Sequence, residues 1–258
     1  MRSCLIAVAV LATACSAGLD VPTEQHLQAV YTHSDGTEMR YLVWLPDGYG
    51  DDRDRRYPMI LFLHGSGDED YDAAWVISVG LPAVLAQDEE PDDFEFVVVS
   101  PQAAPGTIWY AREQPEIVDG VLQEVLDTYL VDPDRVYLTG LSMGGYGSWH
   151  IATRYPERYA ALASVSGSGY QQLTLPPPEF ACRLAAVPVW GWHGQHDLIA
   201  RYEPVHEQVV AWEHLCDTPV RWTGLSDDGH LSTYEKAYRD PELYEWFLEN
   251  TLSGSDGR

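Results

Sequence analysis

Apolar and polar positions fall in blocks along the chain. The runs at 59–63 and 95–100 are almost continuously apolar, as strands buried on both faces should be. Shorter runs of the same style, rich in Val, Ile, Tyr and Trp, lie at 136–139, 162–165, 189–192 and 220–223. Nearer the start, 27–31 and 39–45 read as an antiparallel pair joined by the turn Ser34-Asp35-Gly36. Helical segments are expected at 73–86, 116–130, 145–154, 203–215 and 241–251. The alternation of strand and helix from residue 58 onward predicts an α/β fold. Its mostly parallel sheet of about eight strands is covered by helices on both faces. Right-handed crossovers then gather the loops after the strand ends along one edge, where sites of open sheets form. The longest stretch without a clear element is 166–186, which includes Pro176-Pro177-Pro178. It is long enough for an ordered loop and too short for a helical cap domain.

Composition refines this picture in three places. A chain of 258 residues with 45% hydrophobic content fits one globular core. Against 40 Asp and Glu stand only 15 Lys and Arg, a net charge of −25 that argues against nucleic acid or an anionic membrane surface as a partner. Acidic stretches such as Asp51-Asp52 and Asp88-Glu89-Glu90 read as solvated loop ends. The chain opens with Met1-Arg2, a short apolar run at 4–12 and the small residues Ala12-Thr13-Ala14, which together predict a signal peptide over 1–14. That run is too short to span a bilayer.

Cys15 directly follows, and Leu11-Ala12-Thr13-Ala14-Cys15 resembles a bacterial lipobox, with Ala12 where a bulkier aliphatic residue is favoured. A lipid on Cys15 would be the chain's one membrane attachment, with 15–23 as a short tether and 24–252 as the catalytic domain; plain secretion is the alternative. Either way the mature protein is expected outside the cytoplasm as a monomer. Removing the leader leaves Cys182 and Cys216 in a compartment that permits disulfides. Cys182 lies just before the strand at 189–192, and the helix at 203–215 returns Cys216 to the same edge, so a bridge is expected.

The chemistry sits on three of the strand-end loops. Gly140-Leu141-Ser142-Met143-Gly144 stands between a strand and a helix opening with Gly145-Tyr146-Gly147. This is the context of a nucleophile elbow, a turn so tight that a flanking side chain would clash. Ser142 is the candidate nucleophile. A tetrahedral oxyanion needs two backbone N–H donors, assigned to Met143 and to Ser66 in His64-Gly65-Ser66-Gly67, with Gly67 as second choice. His64 reads as a structural residue of that loop. In His193-Gly194-Gln195-His196-Asp197, Asp197 is the candidate acid that fixes an imidazole tautomer, with Asp227 and Asp228 as alternatives. His230, on the loop after the last strand, is the candidate base. The chain order Ser142, Asp197, His230 selects it among nine histidines. His150, His206 and His214 fall inside helical segments and read as packing or surface residues. His193, His196 and Asp197 lack the further ligands a metal site needs, so no metal or cofactor is expected. Trp109, Tyr110 and Trp192 are candidate substrate-binding aromatics.

From about residue 40 to 250 the chain resembles secreted or lipoprotein-type serine esterases of the α/β-hydrolase fold. Feruloyl esterases, phospholipase/carboxylesterases and polyhydroxybutyrate depolymerase-like enzymes belong to that group. The likeness rests on Leu63-His64-Gly65, Val98-Val99-Ser100-Pro101-Gln102, the segment from Asp132 through the elbow to Gly147, Pro188-Val189-Trp190 with His193-Gly194, and Asp240 to Trp246. The resemblance implies a triad of Ser142, Asp197 and His230. It also implies a small-molecule or polysaccharide-linked ester as substrate. It departs after the base, where Leu231-Ser232-Thr233-Tyr234 replaces the family's common Ser-Trp. The expected activity is hydrolysis of short-chain or aromatic carboxylic esters. A peptidase of the same fold and a non-catalytic binding lipoprotein are the competing readings.

Overall fold

A computed structural model describes residues 26–67, 78–171 and 174–252. The predicted leader, Cys15 and the tether lie outside these residues, as does the start of the helix expected at 73–86, positions 73–77. Eight strands form one sheet: β1 (His26–Thr32), β2 (Glu38–Trp44), β3 (Tyr57–Leu63), β4 (Val97–Gln102), β5 (Val131–Leu141), β6 (Ala161–Val165), β7 (Val189–Gly194) and β8 (Arg221–Leu225). Their spatial order is β1-β2-β4-β3-β5-β6-β7-β8. β1 pairs antiparallel with β2, and β2 with β4; every other pairing is parallel. The expected mostly parallel sheet is therefore present, with the hairpin at one edge.

β3 explains the continuous apolar runs. All seven of its residues are buried. Met59, Leu61 and Leu63 enter one core, Ile60 and Phe62 the other, because successive side chains of a strand point to opposite faces. On the first face α2 (Gln114–Thr128), α3 (Met143–Arg154) and α5 (Tyr202–Cys216) cover the sheet, burying Val118, Trp149 and Trp212. On the second face α1 (Leu81–Ala86), α6 (His230–Arg239) and α7 (Pro241–Leu248) contribute Leu81, Tyr238 and Phe247. The short α4 (Pro178–Ala181) lies between β6 and β7.

Cys182 and Cys216 form a disulfide, as expected, with Cα atoms 5.1 Å apart and a sequence separation of 34. Closing a loop of that length stabilises by about 3–4 kcal/mol in the chain-entropy model.

α6 departs from the sequence reading, which left 229–240 as a loop. Thr233, Tyr234, Ala237 and Tyr238 are its buried residues, a spacing of one, four and five that marks a helical face. Ser232 Oγ accepts from the Gly229 N–H at 3.0 Å and so secures the start of the helix.

The chain leaves β3 toward β4 on one side and passes through β5 to β6 on the other. The strand order thus reverses between β3 and β5, and a crevice opens beyond their carboxyl ends. Ser142 follows directly on β5.

Candidate active site

The elbow is built from backbone constraints. Ser142 has φ 52° and ψ −116°, a left-handed conformation that a non-glycine residue adopts only under constraint. Its N–H donates to the Val165 carbonyl at 2.8 Å, which ties the turn to the end of β6. The flanking glycines answer to crowding. A methyl at Gly140 would stand 2.4 Å from the Gly144 carbonyl oxygen, and one at Gly144 only 2.0 Å from that of Leu63. Contact between Gly144 and the Leu63 and His64 carbonyls brings the end of β3, and the exposed loop with Ser66, beside the elbow. Met143 opens α3, so its N–H has no acceptor within the helix and lies at the positive end of the helix dipole.

Three side chains converge at this point. Ser142 Oγ is 2.9 Å from His230 Nε2, and His230 Nδ1 is 2.6 Å from Asp197 Oδ2. His230 is the first residue of α6 rather than a loop residue, and its side chain is 8% exposed. Asp197 Oδ1 accepts from the N–H groups of Ile199 and Ala200 at 2.8 and 2.9 Å, so both carboxylate oxygens are engaged. Burial pushes the Asp197 carboxyl up. Hydrogen bonds from His193 and His230, the charge of His230 and the Ile199 N–H outweigh burial and hold it below the usual carboxylate range. Because Asp197 is an acceptor, the proton of His230 sits on Nδ1 and Nε2 is free to accept from Ser142.

The alternatives to Asp197 are engaged elsewhere. Asp228 accepts from Lys236 Nζ at 2.6 Å, and Asp227 is exposed. His64 is buried: its Nδ1–H donates to the Gly65 carbonyl and its Nε2 accepts from the Ala103 N–H. It joins the loops after β3 and β4, which agrees with a structural reading.

The sequence reading missed His193 as part of this cluster. It is fully buried at the end of β7, with Nε2 2.6 Å from the Ala200 carbonyl and 3.3 Å from Asp197 Oδ2. Both neighbours are acceptors, so Nε2 carries the proton and donates toward the carboxylate. Its ring stacks on Trp222 at 6.1 Å and 17°. Its position four residues before Asp197, at a strand end, was the available signal.

Beside the elbow, along α3, lies a cleft of about 250 Å³ lined by Tyr110, Tyr146, His150, Tyr170, Leu175 and Phe180 among others. Tyr146 links cleft and elbow. It lies one helical turn after Ser142, and its N–H donates to the Ser142 carbonyl at 3.2 Å. Burial, then the Asp197 charge and Tyr110, push its hydroxyl up to about 12. It is therefore a neutral donor at ordinary pH. Much of the opposite wall comes from the 166–186 stretch. There the Tyr170 N–H donates to Gln208 Oε1, and the Tyr170 hydroxyl bonds Thr153 at 3.0 Å.

Of the three aromatic candidates, only Tyr110 reaches the cleft. Trp109 is fully buried: its Nε1 donates to the His64 carbonyl at 2.9 Å and its Cβ fills the space left by Gly147. Trp192 is 3% exposed and packs on Trp190 in the core on the opposite face of the sheet. Neither Trp109 nor Trp192 is among the residues that line this cleft. His150, read as a packing or surface residue, instead lines the cleft.

A strained serine between strand and helix, with an imidazole and a carboxylate in line, is the arrangement found in hydrolases of the α/β-hydrolase fold. The chain belongs to the esterase family, whose model, described as "Putative esterase", matches residues 32–220. It is 30% identical over 153 residues to the bifunctional acetylxylan esterase/xylanase of Neocallimastix patriciarum, covering 57% of this chain and 20% of that protein. To feruloyl esterase D of Neurospora crassa it is 29% identical over 172 residues, covering 63% of this chain and 56% of the relative. The chain thus spans little more than half of one relative's length and a fifth of the other's. Among solved structures, a thermostable esterase superposes with a TM-score of 0.69 at 25% identity, over 88% of this chain and 63% of the other.

Proposed function

We propose that the protein is a serine carboxylesterase acting on short-chain or aromatic carboxylic esters. The observation that carries this reading is the in-line contact of Ser142 Oγ, His230 and Asp197 at 2.9 and 2.6 Å.

In the proposed reaction Ser142 Oγ attacks the ester carbonyl carbon while His230 Nε2 takes its proton. Asp197 holds the Nδ1–H and stabilises the imidazolium that forms. The tetrahedral oxyanion lies against the N–H groups of Met143 and Ser66. As the intermediate collapses, the C–O bond to the alcohol breaks and His230 protonates the departing oxygen. A water molecule, its proton taken by His230, then attacks the acyl-enzyme, releasing the acid and restoring Ser142.

The size and lining of the cleft support the substrate class. A space of about 250 Å³ walled by tyrosines suits a short acyl chain or one planar ring. A long acyl chain would extend past it into water, forgoing about 0.8 kcal/mol for each exposed methylene. Two relatives named for acetylxylan and feruloyl esters are consistent with small or aromatic acyl groups on a polysaccharide. The leader and its lipobox-like end support export, with Cys15 as the site of a lipid anchor.

A fluorophosphonate probe tests the core of the proposal. It should label the purified protein at Ser142, and Ser142→Ala should abolish labelling and nearly all turnover of p-nitrophenyl acetate. Across p-nitrophenyl esters, kcat/KM should peak between acetate and butyrate and fall by octanoate. A steady rise to palmitate would instead indicate a lipase, and full turnover by Ser142→Ala would overturn the reading altogether.

A further inference from the structure

The cleft holds a polar group that the proposed chemistry does not use. Ser142, Tyr146 and His150 are spaced four residues apart along α3, so they share one face of the helix. At 1.5 Å per residue, His150 lies about 12 Å along the axis from the nucleophile. Helical side chains lean toward the N-terminus, so the His150 ring is directed back along the cleft toward the elbow. Tyr146 and His150 both line the cleft, so the cleft runs along that face away from Ser142. Tyr110, Tyr170, Leu175 and Phe180 are among its other lining residues.

His150 is half-buried, and its ring is tilted against Phe180 with centroids 6.1 Å apart. Among the described residues its imidazole makes no side-chain hydrogen bond, although both ring nitrogens require partners when a ligand excludes water. Burial first, then the neighbouring Arg154, lowers its pKa. At neutral pH it therefore offers one donor and one acceptor rather than a cation.

We propose that His150 is a specificity-determining residue that hydrogen-bonds a hydroxyl at the far edge of a planar aromatic acyl group. The assignment rests on the esterase reading for what happens at Ser142. It makes the cleft selective by a definite rule: a ring bearing a hydroxyl opposite its linker binds better than the same ring without one. A neutral imidazole suits a phenolic hydroxyl, which gives and takes one hydrogen bond. The lining tyrosines offer the ring aromatic contact. A site with a polar group placed for a substrate hydroxyl disfavours the analogue lacking it, because the group is then buried without a partner.

The test measures binding, so that turnover does not enter it. In a Ser142→Ala background, calorimetry gives dissociation constants for methyl p-coumarate and methyl cinnamate, which differ by that hydroxyl alone. The expected result is a preference for p-coumarate of about tenfold, the worth of one hydrogen bond at a partly buried site. Adding His150→Leu should bring the ratio to about one. His150→Gln, which keeps a donor and an acceptor, should restore most of it. Thermal melts followed by circular dichroism report the folding of each variant. A ratio unchanged in a folded His150→Leu protein, or no preference in the parent, overturns the assignment. Turnover of p-nitrophenyl acetate by the unaltered protein tests the esterase reading separately. Its absence, with the binding preference intact, would sink that reading and leave the assignment of His150 standing.

Discussion

The elbow and the cleft wall meet at Tyr146, yet they are built by opposite means. At the elbow the backbone sets the geometry: a left-handed serine, two glycines with no room for a methyl, and N–H groups at a helix start. Nearly all of it comes from five consecutive residues, 140–144, and the strand ends they touch. The wall is a matter of side chains. Tyr170 is pinned by Gln208 and Thr153, 38 and 17 residues away, and Trp212 Nε1 holds the Ala181 carbonyl at 3.0 Å. Changes to the elbow and its partners should therefore be nearly all-or-none, whereas changes to the wall should be graded and selective by substrate.

The largest effect should come from Asp197→Asn. It leaves shape and volume intact but frees His230 to take the wrong tautomer, so kcat should fall by about 10⁴-fold. The same variant bears on acid stability. In the folded protein the carboxyl of Asp197 is held below its unfolded value of about 3.9. Its stabilising contribution is therefore complete above that pH and fades as pH falls through the folded value. Melting temperature should thus decline less steeply below about pH 4 in Asp197→Asn than in the parent, as scanning calorimetry would show.

Gly144→Ala comes next, with a methyl 2.0 Å from the Leu63 carbonyl oxygen. A destabilisation of about 3 kcal/mol or more is expected from urea unfolding, because a strand end or the helix start must move. An alanine tolerated there without loss would show that the elbow is looser than drawn.

His193→Leu removes the second donor toward Asp197 while nearly filling the space. The expected result is a loss in kcat of about ten- to a hundredfold with KM little changed, the range for a hydrogen bond to a charged group. His193→Gln should recover part of it.

Smallest is the change at the wall. Tyr110→Ala should raise KM for aromatic esters about five- to tenfold and leave kcat close to its starting value, the mark of lost binding shared by ground and transition states. A comparable loss on acetate esters would mean that wall and elbow are not separable after all.

The same contrast accounts for what could be read from the chain. Strand runs such as 59–63 were legible because burial on both faces leaves no polar position. The elbow was legible because glycine spacing, strand and helix are all local. Order along the chain then pointed to Asp197 and His230. His193 went unread as a partner of Asp197, since a buried histidine at a strand end gives no hint of which oxygen it faces. Trp109 and Trp192 were placed at the cleft from their position in loops and strand ends. Which way a ring turns there depends on partners such as Gly147 and Trp190, which no nearby pattern discloses. α6 is hard to read from sequence because Gly229 before it belongs to an acidic turn, the next helix begins at once at Pro241, and its buried positions are few. The cleft wall was invisible for a further reason: a stretch with three consecutive prolines and no periodicity carries no sign of what it packs against.

The disulfide bears unequally on the two regions. Cys182 ends the segment that forms the wall, and Cys216 ends α5, whose Gln208 and Trp212 hold that segment in place. Besides those hydrogen bonds, the wall segment is held by the packing of Tyr170, Ala181 and Leu184 in the core. Breaking the bridge should therefore loosen the wall more than the elbow, because the loop it closes runs from the wall segment through β7 to the end of α5.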